Sequence, residues 1–257
     1  MSDPVDQARQ ELATANRILA HEGVIDAFGH VSMRHPTHPD RYLISRHRAC
    51  ELVQAEDILE LTLDSVPVAP TSFRLYGELV IHGCIYQARA DVQAICHHHS
   101  DAVLPFCITD LPFQPVYHLG ATCGPAVPVW DSRDEFGDTS LVVIKPEEGK
   151  SLARALGPYW MVLMRHHGAT VVGQSIQDLV FRTIFTSRNA ELQSRALAMG
   201  TVEPLNAVEA QKCFTFMRGP RPTERAWEYW SVRLKKTEAV HAFAMRAMAA
   251  QMKDAVQ

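Results

Sequence analysis

The chain has 257 residues, 47% of them apolar and 21% charged, and a formal charge of −4. That composition excludes disorder as the main state and is enough to bury a full core. There is no basic excess to point to nucleic acid as a partner, and the longest apolar runs fall far short of a membrane span. The start, MSDPVDQARQELA, is acidic and polar, unlike a signal or transit peptide, so a cytoplasmic location is expected.

Ser2-Asp3-Pro4 opens a first helix, with a capping side chain followed by proline in the first turn. Val5, Ala8, Leu12, Ala15 and Leu19 continue it at helical spacing, and Gly23 ends it. Short apolar pieces predict strands at 31–33 and 42–45, and Pro67 and Pro70 mark a loop. A helix is expected over 73–88, a strand over 91–97 and a short helix from Ser100 to Phe106. Further on, the pattern predicts a strand at 127–130 and a helix at 146–156. Two strands, 160–164 and 169–172, flank the turn Arg165-His166-His167-Gly168. Ser175 and Asp178 read as a capping box for a helix ending near Gly200. A last helical region over 223–255 carries Trp227, Tyr229 and Trp230. Strands and helices mix along the whole length. We therefore read residues 1–257 as one α/β domain, with 201–257 a helical extension packing on it.

Six cysteines are scattered with no CxxC pair, and are read as reduced and mostly buried thiols. The thirteen histidines are the unusual feature, three of them consecutive. In Cys96-His97-His98-His99, alternation along a strand puts His97 and His99 on one face and His98 on the other. Two imidazoles so placed can grip one metal ion, and His167, at a tight turn before Gly168, can supply a third. Three neutral imidazoles leave a coordination position open, as a catalytic site needs. An isolated HxH is also met among ordinary core and surface histidines, and spacing alone does not separate the two.

Several separated motifs resemble the class II aldolase/adducin family, in order and spacing, from about Arg9 to Leu197. Phe28-Gly29-His30-Val31-Ser32 looks like the family's Gly-Asn-x-Ser segment. Glu78, nineteen positions before His97, matches its catalytic acid. His97-His98-His99-Ser100 matches its HxH strand, and His167-Gly168 its third ligand. The resemblance implies an α/β/α sandwich around a mostly antiparallel sheet, a homotetramer with the site between subunits, and one divalent metal per subunit. Zn2+ and Mn2+ are the first expectations, and three imidazoles also accept Fe2+ or Co2+.

Where the family's phospho-sugar aldolases hold phosphate with small neutral residues, this chain has His30, the pair His47-Arg48 after Ser45-Arg46, and Tyr76-Gly77. Rings and guanidinium groups suit a flat carboxylated aromatic, because arginine grips a carboxylate through two parallel hydrogen bonds. The segments FGHVSMRHP, YLISR and AWEYW resemble the branch holding 3-hydroxy-2-methylpyridine-4,5-dicarboxylate and dihydroxyphthalate decarboxylases. This resemblance implies non-oxidative decarboxylation of an ortho-hydroxy aromatic or pyridine carboxylate, with Glu78 delivering a proton. His30, Ser45, Arg46 and His47 would hold the substrate, with Tyr117 reaching in from a neighbouring subunit. An aldolase on a small hydroxy-carbonyl compound, an Fe(II) oxygenase on an aromatic acid and a non-catalytic adducin-like module are the competing readings.

Overall fold

The computed structural model describes residues 3–254. Helix α1 (Pro4–His21) starts where the capping pattern predicts, with the Asp3 carboxylate accepting the Val5 N–H at 3.0 Å. Its apolar stripe, including Leu12, Ala15 and Leu19, is buried. The chain then forms β1 (His30–Arg34), β2 (Arg41–Ser45) and β3 (Ile58–Thr62). Strand β3 has no counterpart in the sequence reading. It is an edge strand in which the Glu60 carboxylate accepts the Arg41 guanidinium of β2 at 2.7 Å.

Helix α2 (Leu79–Ala88) begins six residues later than 73–88 predicts. Tertiary contacts override helix propensity there. The Tyr76 hydroxyl donates to the Arg48 carbonyl at 2.6 Å, and the Arg74 carbonyl accepts the His47 N–H at 2.8 Å. Residues 74–76 are thereby drawn alongside 47–48 instead of coiling. Strand β4 (Ala94–His98) is followed by α3 (Leu104–Ile108), which replaces the short helix expected from Ser100. Next come β5 (Val129–Trp130), α4 (Arg133–Phe136), α5 (Pro146–Leu156), β6 (Met161–Met164) and β7 (Gly168–Gly173). Helix α6 (Ile176–Met199) has Ser175 as its cap, accepting the Asp178 N–H at 3.0 Å. The box is not reciprocal, because Asp178 accepts from the Gln174 N–H, one residue upstream of the cap. Beyond Gly200 lie α7 (Ala207–Met217) and α8 (Pro220–Asp254); the sequence reading had no separate α7, and its expected end at Ala255 lies outside the described residues.

The seven strands form one sheet in the order β3-β2-β1-β4-β7-β6-β5, antiparallel throughout except for the parallel β5–β6 pair. Side-chain alternation divides the core into two layers. Ala94, Cys96 and Val171 pack with α1 and α6 on one face. Ile95, Val172 and Val162 pack with α2 and α5 on the other. This is the expected α/β/α layering of a mostly antiparallel sheet. Helix α8 lies against α1 and α6, with Trp230 buried beside Phe181 and Phe185, so this tryptophan anchors the helix. Five of the six cysteines are buried. Among the described residues no helix is long and apolar enough to cross a membrane.

His98 points to the α6 side, where it is wholly buried and its Nδ1 accepts the Ser100 N–H at 3.2 Å. Burial, reinforced by nearby His99, pushes its pKa down to about 3. The unfolded chain binds this proton below pH ~6.5, whereas the folded chain refuses it down to pH ~3. The stability contribution is therefore complete above pH ~6.5 and falls by about 1.4 kcal/mol per pH unit below it. Urea unfolding at pH 7 and pH 5 should show this loss. The His98→Asn variant should show a shallower dependence, and an unchanged slope would contradict the assignment.

Candidate active site

Alternation on β4 sends His97 toward α2, opposite His98, as the sequence predicts. His99 leaves the strand on the same side. His167 ends the turn between β6 and β7, where His166 takes a positive φ of 57° and the His167 N–H closes onto the Met164 carbonyl at 3.0 Å. Glu78 occupies the position before the first residue of α2. One strand end, one turn and one helix start thus converge. Donor atoms of Glu78, His97, His99 and His167 all lie within 4.8 Å of one another.

Close backbone packing makes this possible. A side chain on Gly168 would stand 2.4 Å from the His98 carbonyl and 2.8 Å from the His99 ring. Gly29, at φ +110°, also passes close to His97, where a Cβ would meet the His97 carbonyl at 2.9 Å.

The ring nitrogens are arranged for a cation. The Thr170 hydroxyl donates to the Met164 sulfur at 3.4 Å, so its lone pairs accept the His97 Nδ1–H at 3.3 Å. That bond leaves His97 Nε2 as a bare lone pair. This nitrogen faces His99 Nε2 at 2.9 Å. Without a cation, His99 in its Nε2–H tautomer donates to that lone pair; with one bound, both nitrogens can turn to it. The His97 and His99 rings meet edge-on at 82°, while His99 and His167 stack at 19°. Burial pushes all three imidazole pKa values down, that of His97 furthest, which keeps the lone pairs free at neutral pH. A donor set of three neutral imidazoles and one carboxylate fits a divalent cation.

Glu78 is mostly buried, which alone would raise its pKa. The His30 ring, His167 and the Val143 N–H, which donates to Oε1 at 3.0 Å, outweigh burial and hold the carboxyl below its ordinary range. Its Oε2 stands 3.7 Å from His97 Nε2 and 3.9 Å from His30 Nε2.

A cleft of about 180 Å³ opens beside this cluster, lined in part by Phe28, His30, His47, Arg48, Tyr76 and Val142. Phe28 is 69% exposed and presents its ring to it. His30 and His47, two of the residues the sequence reading expects to hold the substrate, line this cleft. Arg46 is not among the lining residues; Arg48 is. Buried Asp57 holds both guanidiniums, accepting Arg46 Nε at 2.6 Å and Arg48 Nη1 at 2.8 Å. Burial would raise the Asp57 pKa, but the Gln54 N–H and the two arginines hold it down. Ser45 bonds the Tyr76 hydroxyl at 2.9 Å and so supports the cleft wall from behind. Tyr117 lies in the half-buried segment leading to Gly120, beside His118, and does not line the cleft of its own chain.

Sequence reasoning placed Arg48 and Tyr76 at the family's phosphate-holding positions but left both out of the residues expected to hold the substrate. It also missed His82, which sits behind His30 with its Nε2 2.6 Å from His30 Nδ1. The signal was a histidine at helical spacing from Glu78 in an otherwise apolar stretch, LVIHGCIY.

Residues 10–194 match the family model described as the Class II Aldolase and Adducin N-terminal domain. The chain is 30% identical to the decarboxylase tropJ of Talaromyces stipitatus, covering 83% of this chain and 88% of that one. It is 26% identical to a 3,4-dihydroxyphthalate decarboxylase of Arthrobacter keyseri, covering 75% and 80%. Among solved structures it superposes on L-fuculose 1-phosphate aldolase from Glaciozyma antarctica with a TM-score of 0.77 and 21% identity, over 91% of this chain and 90% of the other.

Gly168→Ala should lower stability by roughly 1–3 kcal/mol, since neither the His98 carbonyl nor the paired strands can retreat. Gly77→Ala is the control, because its added Cβ meets only Ile144 at an ordinary 3.6 Å. Chemical denaturation of both variants checks the contrast, and equal stabilities would contradict it.

Proposed function

The chain belongs to the class II aldolase and adducin family, and from that premise we propose that it is a carboxy-lyase. Its substrate in this reading is an aromatic or pyridine carboxylate with an adjacent ring hydroxyl. One observation carries the reading: the histidine cluster opens onto a wall of Phe28, His47, Arg48 and Tyr76, rings and a cation suited to a flat anion. The decarboxylase names of two relatives support the same reaction type.

His97, His99 and His167 would hold the divalent cation, with Zn2+ or Mn2+ first and Fe2+ or Co2+ as substitutes. When bound, it would supply a sink for the electron pair left on the ring as CO2 departs. The remaining steps fall to the protein's own groups. Glu78, held ionised, takes the proton of the ring hydroxyl. The carbon–carboxylate bond then breaks, its electrons staying with the ring, and Glu78 returns the proton to the ring carbon. His30 and Arg48 orient the substrate's carboxylates. Arg48 gives Nη1 to Asp57 and has further N–H groups for a carboxylate. Arg46, tied to the same Asp57, shares that role from the rim, with His47 against the ring and Ser45 setting Tyr76. Tyr117, outside its own chain's cleft, is assigned to a neighbouring subunit's site in a homotetramer.

Incubation with hydroxyphthalates and pyridine dicarboxylates plus Mn2+ or Zn2+ should release CO2. Cleavage of a phosphorylated ketose instead, or oxygen consumption coupled to turnover, would overturn this reading. In the active protein, Arg48→Met should raise KM for a dicarboxylate about tenfold or more, the loss of a charge-assisted hydrogen bond worth roughly 1.5–3 kcal/mol. Steady-state kinetics checks it, and an unchanged KM would remove Arg48 from the carboxylate site.

A further inference from the structure

Behind His30 runs a buried chain of hydrogen bonds that the reaction above does not use. His30 Nδ1 meets His82 Nε2 at 2.6 Å, His82 Nδ1 meets the Ser32 hydroxyl at 2.6 Å, and that hydroxyl meets the Tyr86 hydroxyl at 2.9 Å. His82 and Ser32 have no exposed surface, and Tyr86 is 2% exposed. The fold puts them together simply: His30 and Ser32 are alternate residues on one face of β1, and His82 and Tyr86 are one turn apart on α2.

Such a chain can be polarised in two directions. In one, His30 donates from Nδ1, His82 donates to Ser32, and Ser32 donates to Tyr86. The Tyr86 proton then has no acceptor in the core, and a bare His30 Nε2 faces the Glu78 carboxylate. Both ends are unfavourable. In the other, Tyr86 donates to Ser32, Ser32 to His82 Nδ1, and His82 Nε2–H to His30 Nδ1. Every donor is then used, and His30 turns an Nε2–H toward Glu78 and the cleft.

We propose that His82, with Ser32 and Tyr86 behind it, is a positioning residue that fixes His30 as an Nε2–H hydrogen-bond donor to the substrate's carboxylate. The chain ends at a buried phenol, so it orients a proton and does not conduct one to solvent. The substrate side of this statement rests on the decarboxylase reading above; the direction of the chain does not.

Neutron diffraction from the metal-loaded protein in D2O tests that direction. Deuterium is expected on Nε2 of both His30 and His82 and absent from both Nδ1 atoms; deuterium on His30 Nδ1 would overturn the proposal. Kinetics tests the role. His82→Leu should lower kcat for decarboxylation at least tenfold with bound metal unchanged. His82→Gln, whose amide can both donate to His30 and accept from Ser32, should recover most of it. Equal rates for the leucine and glutamine variants, or a wild-type kcat with leucine, would refute it. Should the wild type release no CO2 from any substrate, the functional reading alone fails, and the deuterium positions still decide the chain.

Discussion

The site rests on bringing several imidazoles together with a carboxylate in a place that water scarcely reaches. Burial makes a protonated histidine costly, so the rings stay neutral and their lone pairs stay available. The donor atoms of these rings and of Glu78 lie within 4.8 Å of one another, a set that could hold a divalent cation. The low dielectric that keeps the ligands neutral also strengthens their pull on that cation. Glu78 experiences the opposite balance: its neighbours overcome burial and keep it ionised, which suits the proton-carrying role proposed for it.

This arrangement depends on backbone placement more than on any single side chain. The β4–β7 register sets His97 opposite Thr170, the residue that fixes which of its nitrogens is bare. The β1–β4 register sets His30 opposite His97. Helix α2 contributes at two depths, with Glu78 at its start facing the cleft and His82 one turn later supporting His30 from the core. A shift of one residue in either strand pair would turn these side chains to the other face.

Much of the fold and part of the site could be read from the residues. Period-two and period-3.6 patterns located most strands and helices, and alternation alone assigned His97 and His99 to one face. His167-Gly168 stood out as a histidine at a tight turn. Glu78 was legible only through the family resemblance, because a glutamate within the helix expected over 73–88 looks like a solvated helix residue. The delayed start of α2 was invisible, since the Tyr76–Arg48 bond that delays it joins residues far apart in the chain. For the same reason Arg48, not Arg46, lines the cleft: the two arginines, two positions apart, share the buried Asp57, and only the three-dimensional path decides which one faces inward.

The central claim is that His97, His99 and His167 bind one divalent cation. Calorimetric titration of the metal-stripped protein with Mn2+ or Zn2+ addresses it directly. One ion per chain should bind the wild type, and none with comparable affinity should bind a folded His99→Ala variant. Equal stoichiometry and affinity in the two proteins would contradict the account.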